Sequence, residues 1–382
     1  MKENPLVTIL MPVYNGGEYL LSSIESILKQ TYRDFEFLII NDCSTDNSME
    51  IVRSFNDARI VMHSNSLNMG QTKSLNVGLR IAKGRYIAVN DADDLSLPQR
   101  IEKQLHFIIK HPEYAVIGTS AFIMDRSGRL KRTFHKPVDP SEISLWILSD
   151  TPIIHGSVIM NKEIILANGG YNEEFRICQD YELWSSLMRK GFRVANMPDI
   201  LVVIRYYLDS ISFKEKDAQT IENGRIMHAN VSALTSLKIS HDEAVRQRLF
   251  FAATDQLSTE DFIKAEELFI QEYKRINSSL MLDSDIILNN LKKKLLTPYA
   301  KQALRFFKHG NLKEAREISR RYLNIYGWSL ILFIIWAASF SNMRLLGRFL
   351  SLHSVLQRLE AYYRLYSGKV FSSHHYKIMG RP

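Results

Sequence analysis

Asp91-Ala92-Asp93-Asp94 puts three carboxylates within a single turn of chain. Such groups repel one another unless a cation or several amides neutralise them. A divalent ion held by one or two carboxylates plus substrate phosphates is the usual arrangement for Mg²⁺. An ion so placed also stabilises a departing diphosphate as a Lewis acid. The plainer alternative is a helix N-terminus carrying acids that suit its dipole, since Pro98 and a helical pattern follow closely. Two further polar pairs, Tyr14-Asn15 and Asn41-Asp42, each end an apolar run in the same way.

The elements that must position these groups alternate. Apolar runs at Leu6–Val13, Phe35–Ile40, Arg59–His63 and Tyr86–Val89 read as strands, and Glu18–Gln30, Thr45–Phe55 and Gln71–Ala82 carry helical spacing. This order predicts an α/β fold with a mostly parallel, doubly wound sheet. Ligands of such sheets bind beyond the carboxyl ends of the strands, where the polar clusters fall. Beyond them, Pro98–Lys110 reads as a helix with proline in its first turn. Residues 114–135 read as a hairpin turning at Ser127-Gly128, Ile153–Met160 as a strand and Asp180–Lys190 as a helix. Val194-Ala195 and Leu201–Tyr206 read as two short strands. From about residue 215 the pattern is helical, with a helical hairpin over Ala303–Tyr322 centred on Gly310-Asn311.

Three segments together resemble the family-2 glycosyltransferases of GT-A fold: Val7-Thr8-Ile9-Leu10-Met11-Pro12-Val13-Tyr14-Asn15, Asn41-Asp42-Cys43-Ser44-Thr45-Asp46 and Asn90-Asp91-Ala92-Asp93-Asp94. The resemblance covers about residues 5–212. It implies a GT-A catalytic domain over 1–213, with a nucleotide half (1–97) and an acceptor half (98–213), a helical region over 214–325 and a tail over 326–382. It implies an inverting enzyme that takes a nucleotide-sugar, by family habit a UDP-sugar, and needs Mn²⁺ or Mg²⁺. Pro12, Tyr14, Asn15, Asp42, Asp91 and Ala92 would then line the nucleotide-sugar site. Tyr14 would lie beside the base, Asp42 would accept a hydrogen bond from it, and Asp91 would meet the ribose or the metal. Asp93 would bind the metal. Lys73 would touch phosphate, unless it is a solvated surface lysine.

A second match, Gly169-Gly170-Tyr171 with Cys178-Gln179-Asp180-Tyr181-Glu182-Leu183-Trp184, resembles the family's acceptor motif, usually Glu-Asp-x-x-Leu-Trp. Gln179 stands where the family has Glu, and Asp180 keeps the second acid, which implies the general base. The alternative for Asp180 is a helix N-cap. On the acceptor side stand His155, Trp184 and Arg205. Trp184, one turn beyond Asp180, is either exposed to stack on a sugar or buried, and His155 either lines the acceptor pocket or is structural. Tyr207 occupies a place where relatives carry His.

Composition is ordinary for a folded protein, with 46% hydrophobic and 24% charged residues. Cys43 and Cys178 are too few for a disulfide framework and fit a reducing compartment. No secretion signal is read at the N-terminus. The longest uncharged apolar stretch, Trp328–Phe340, has thirteen residues, against roughly 20 needed to span a bilayer. The net charge of +8 is uneven: beyond residue 300 stand fourteen Lys and Arg against three Glu. Arg344, Arg348, Arg358 and Arg364 surround a broad apolar face in 326–382. This suggests a basic amphipathic segment at an anionic membrane, hence a cytoplasmic protein peripheral to the inner face of the cell membrane with a glycan or lipid-linked acceptor. Packing of that segment on protein is the alternative.

Two other functions fit less well. A nucleotidyltransferase would share the acidic metal loop, but no glycine-rich basic loop follows the first strand to hold a triphosphate. A non-catalytic binder of nucleic acid or another anionic surface would use the basic tail, but that stretch carries no known nucleic-acid fold, and the acidic loops would repel phosphate without a metal. No nucleic-acid partner is expected.

Overall fold

The computed structural model describes residues 4–206, 215–252, 257–280 and 284–326 of the 382. The chain divides into two compact units, one of residues 1–251 and 260–283, the other of residues 252–259 and 284–382. The first holds all the described strands: β1 (Val7–Val13), β2 (Phe35–Asn41), β3 (Ile60–Ser64), β4 (Tyr86–Val89), β5 (Leu95–Ser96), β6 (Tyr114–Met124), β7 (Leu130–Phe134), β8 (Ile159–Asn161) and β9 (Arg193–Arg205). They make one nine-stranded sheet in the order 3-2-1-4-8-6-9-5, with β7 paired to β6. β3, β2, β1 and β4 are parallel neighbours. β8 runs antiparallel to β4 and β6, and β9 runs parallel to β6.

Helices on the sheet are α1 (Leu20–Leu28), α2 (Ser48–Ser54), α3 (Gln71–Ile81), α4 (Arg100–Lys110), α5 (Pro140–Trp146), α6 (Lys162–Ala167) and α7 (Gln179–Arg189). α8 (Lys216–Thr235), α9 (His241–Ala252) and α10 (Thr259–Leu280) follow. β1 and β2 are buried along their whole length, which is why their sequences are continuous apolar runs. At the start of β1, the Thr8 hydroxyl donates to Glu36 at 2.6 Å and accepts from the Gly84 amide at 2.8 Å. Gly84 lies so close that a Cβ there would stand 2.3 Å from the Thr8 amide nitrogen.

Five residues join β4 to β5, yet four strand spacings, about 19 Å, separate those strands along the sheet. The turn inside that link, where Asp94 N–H donates to the Asp91 carbonyl at 3.2 Å, shortens its reach further. The sheet must therefore curl, bringing its far edge towards the acid loop.

Several expectations need correction. The strand expected over 153–160 is confined to β8, because a 3-10 turn takes up His155–Ser157. Gly156 in that turn passes so near Asp91 that a Cβ would lie 2.8 Å from its Oδ2. The two short strands expected near 194 and 201 are one strand, β9, whose register against β6 shifts near Ser120. The 114–135 hairpin is present, but β6 is also an interior strand. Two short helices were not foreseen. Asp139 caps α5, accepting from Ser141 N–H at 2.8 Å, and Asn161 caps α6, accepting from Glu163 N–H at 3.1 Å.

In the second unit, α11 (Ser284–Lys308) and α12 (Leu312–Tyr326) form the expected helical hairpin. Gly310 takes φ 79°, and Asn311 N–H donates to the Phe306 carbonyl at 2.9 Å, a glycine-terminated helix end. Tyr299, Tyr322 and Tyr326 cluster between the two helices, with ring centroids 5.0–6.3 Å apart. Among the described residues no helix is long and apolar enough to cross a membrane. Residues 327–382 and Tyr207 lie outside the described residues.

Candidate active site

The loops after β1 and β2 are fastened to each other. Asn15 sits at φ 50°, its N–H on the Ser44 hydroxyl at 3.1 Å and its side-chain oxygen on Thr45 N–H at 2.8 Å. Gly16 N–H donates to Ser48 Oγ at 2.8 Å. This leaves Tyr14 standing free at 53% exposure. Asp42 is buried and accepts from Asn65 Nδ2 (2.8 Å), Met69 N–H (2.9 Å) and Gly70 N–H (2.8 Å). A carboxylate has about four acceptor positions. Among the described residues three are taken, two on Oδ1 and one on Oδ2.

The acid loop rests on a buried cation. Arg100, at the start of α4, is wholly buried. It donates to Asn90 Oδ1 at 3.0 Å, Ser96 Oγ at 2.8 Å and the carbonyls of Val89 and Val158 at 2.7 and 3.2 Å. Burial pulls its pKa down to about 10, against the support of Asp91 and Asp94, so it is charged at neutral pH. From β9, Arg205 N–H donates to Asp94 Oδ1 at 2.8 Å and Arg205 Nε to the Asp93 carbonyl at 3.2 Å, while its guanidinium lies 4.1 Å from the Tyr19 ring centroid. Burial, then the charges of Asp93 and Asp91, push Asp94 well above the usual carboxylate range. Among the described residues no three His, Cys, Asp or Glu are arranged to hold an ion by themselves; Asp91 and Asp93, two carboxylates on one tight loop, are the residues that would hold one together with substrate oxygens.

His155 joins this loop to the second half of the site. Its Nδ1 is 3.7 Å from Asp91 Oδ1 and its Nε2 is 3.0 Å from the Tyr171 hydroxyl. Burial opposes its charge, but Asp91 and then Asp180 outweigh it and raise its pKa. Asp180 lies in the first turn of α7, half-buried, and accepts from Tyr181 N–H at 2.7 Å. Burial raises its pKa, while His155, the Tyr181 amide and Lys136 pull it down. Glu222 of α8 fixes where α7 begins, accepting from the amides of Arg176, Ile177 and Cys178 at 3.0, 3.0 and 2.8 Å.

The profile of "Glycosyl transferase family 2" matches residues 8–170. EpsE of Bacillus subtilis (strain 168) is 34% identical over 235 residues, which cover 60% of this chain and 82% of EpsE. The chain belongs to glycosyl transferase family 2. Another relative is the Escherichia coli UDP-Glc:alpha-D-GlcNAc-diphosphoundecaprenol beta-1,3-glucosyltransferase WfaP, 30% identical over 215 residues, covering 55% of this chain and 82% of WfaP. The Staphylococcus aureus TarS fragment 1-349, solved in complex with UDP-GlcNAc, shares the fold at a TM-score of 0.51 and 18% identity over 80% of this chain and 92% of that one. The protein is thus a glycosyltransferase with a GT-A fold and a helical C-terminal region.

In this family-2 glycosyltransferase the predicted residues separate into those at the site and those beside it. Tyr14, Asn15, Asp42, Asp91, Ala92 and Asp93 lie beyond the ends of β1, β2 and β4, His155 contacts Asp91, and Arg205 clasps the acid loop. Pro12 does not face out: it is buried in β1 opposite Ile40. Trp184 is fully buried with its ring centroid 6.5 Å from that of His155, so it backs the site and offers no face to a sugar. Lys73 is exposed, two residues and so about 200° around α3 from Gln71. It is Gln71 that reaches Asp91, at 3.3 Å, with the Gln179 carboxamide 3.2 Å away. Sequence reasoning missed Gln71, Arg100 and Glu222, and it quoted Tyr171 only as part of the acceptor-side match, with no role of its own. For Arg100 the sequence offers only a basic residue two places after Pro98, with Lys103 close behind it.

Proposed function

We propose that this enzyme moves a sugar from a UDP-sugar to a hydroxyl of a glycan or lipid-linked glycan, with inversion at the anomeric carbon. The observation that supports this reading is that His155, whose Nδ1 stands 3.7 Å from Asp91 Oδ1, also senses the charge of Asp180 in the first turn of α7. The likeness to WfaP, a UDP-Glc:alpha-D-GlcNAc-diphosphoundecaprenol beta-1,3-glucosyltransferase, supports the substrate class.

In this reading Asp180 takes the proton of the acceptor hydroxyl as that oxygen bonds to the anomeric carbon. The bond from that carbon to the diphosphate oxygen breaks on the opposite face, and UDP leaves with the electron pair. Its raised pKa makes the Asp180 carboxylate a better proton acceptor than an exposed aspartate. Asp42 accepts a hydrogen bond from the base, and Tyr14 lies beside it. Mn²⁺ or Mg²⁺ held by Asp93 and Asp91 would neutralise the diphosphate. Residues 326–382 bring the enzyme to the anionic inner face of the membrane, where a lipid-linked acceptor resides.

The test is calorimetric titration with UDP, GDP and TDP, with and without Mn²⁺, on the wild type, Asp93→Ala and Asp180→Asn. UDP should bind in a metal-dependent way that Asp93→Ala weakens. Asp180→Asn should bind UDP as the wild type does, yet lose transfer by about 10²–10⁴-fold. Full transfer by Asp180→Asn would remove the proposed base.

A further inference from the structure

The hairpin of β6 and β7 carries a concentration of positive charge at its tip. Arg126, Arg129, Lys131 and Arg132 fall within seven residues that hold no acid, and all four are exposed. Two acids lie against them: Lys131 Nζ is 2.6 Å from Asp125 Oδ2, and Arg126 Nη2 is 3.7 Å from Glu18 Oε1. Four cations against two anions leave a net +2 there, whereas residues 1–300 as a whole carry a net −3. Leu130, set among the cations, is 42% exposed. It shares a face of β7 with Phe134. Phe134 packs against the small core of Ala121, Ile154 and Val202, and Leu130 lies beyond that core in solvent.

The tip is braced, and it stands beside the site. Asp125 Oδ1 accepts from Ser127 N–H and Arg129 N–H, both at 3.0 Å, and Gly128 turns the chain at φ 82°. Met124, the last residue of β6, pairs in register with Arg205, and the Met124 carbonyl accepts from Tyr206 N–H at 2.8 Å. Arg205 N–H in turn donates to Asp94, and its guanidinium covers the ring of Tyr19, the neighbour of the Glu18 that meets Arg126. The basic tip is therefore part of the rim around the acid loop. Guanidinium groups bind phosphate oxygens well, and a leucine flanked by cations suits the boundary between headgroups and acyl chains. Charge and apolar surface together match an anionic bilayer.

We propose that this hairpin tip is a membrane-contact surface of the catalytic unit: Arg126, Arg129, Lys131 and Arg132 meet the phosphates of anionic lipid headgroups, Leu130 enters between them, and the acid loop is thereby turned towards the bilayer. The contact is additional to the one proposed for residues 326–382, and it rests on the reading that the acceptor is carried by a lipid. The test uses full-length protein with vesicles of phosphatidylglycerol and phosphatidylcholine, and with vesicles of phosphatidylcholine alone. Hydrogen exchange in residues 125–134 should slow on the mixed vesicles and not on the neutral ones. Arg129→Gln combined with Arg132→Gln should melt as the wild type does and bind the mixed vesicles about thirty-fold more weakly. If that variant does not fold, Arg129→Gln alone should bind about five-fold more weakly. Unchanged exchange on the mixed vesicles, or equal binding by the variants, overturns the proposal. Equal slowing on neutral vesicles overturns it as well, and so does slowing by inorganic phosphate without vesicles, which would make the tip a site for the free anion. The reading of a lipid-linked acceptor fails separately, if transfer to a water-soluble glycan runs as fast without vesicles whatever the exchange shows.

Discussion

At the scale of single residues, burial raises the pKa of Asp180 above its value in the unfolded chain. A raised folded-state pKa means that the native state binds this proton more tightly than the unfolded state does. The ionised side chain therefore costs stability above the folded pKa. That cost shrinks as pH falls between the two values and vanishes below the unfolded one, near pH 4. Asp180→Asn should accordingly melt at a temperature equal to or above the wild type at pH 7, with the difference closing towards pH 4. Thermal denaturation across that range checks it, and a variant less stable than the wild type at pH 7 would contradict it. Asp180 and the acid loop stood out in the sequence through the family resemblance of their segments, since acids at helix ends are by themselves common. Gln71 did not, because a glutamine signals nothing until the fold brings it to a carboxylate. Trp184 shows the converse: its spacing from Asp180 was readable, and its burial was decided by the packing around it.

At the scale of elements, the parallel half was legible because strands buried on both faces are written as unbroken apolar runs. β9 was not, because Asn196, Pro198 and Asp199 interrupt the run. Asn196 is nevertheless buried on the carbonyls of Pro137 and Pro152 (2.7 and 3.0 Å), and Asp199 pairs with Lys103 at 2.7 Å. α5 and α6 carried readable caps in Asp139-Pro140 and Asn161, but at seven and six residues they are too short for periodicity to reveal. The turn into β4 offers a sharp test of the parallel half. Gly84→Ala forces a Cβ against the backbone of Val7 and Thr8, at 2.6 and 2.3 Å, and disturbs the hydrogen bond from Gly84 N–H to Thr8. It should destabilise the protein by about 1–3 kcal/mol, read as a lower urea midpoint with an unchanged slope.

At the scale of the whole molecule, the sequence divides its charge unevenly, and the basic excess beyond residue 300 is the ground for proposing membrane contact. The prediction concerns the full-length protein. Replacing Arg344, Arg348, Arg358 and Arg364 together with Gln should release it from anionic liposomes in a co-sedimentation assay while leaving UDP binding intact, and raised salt should release the wild type likewise. Equal binding by both proteins would refute a role for those charges. One feature of the sheet bears on how such enzymes can be recombined. The acid loop leaves β4, enters β5 at the far edge of the sheet and is clasped there by Arg205, while Glu222 of α8 sets the start of the helix that carries Asp180. A chimera joined at residue 97 would take its acid loop from one parent and the arginine that fixes it from another. A crossover beyond Thr235 inherits both partners from one parent, and that is where donor and acceptor specificities should be exchanged as a block.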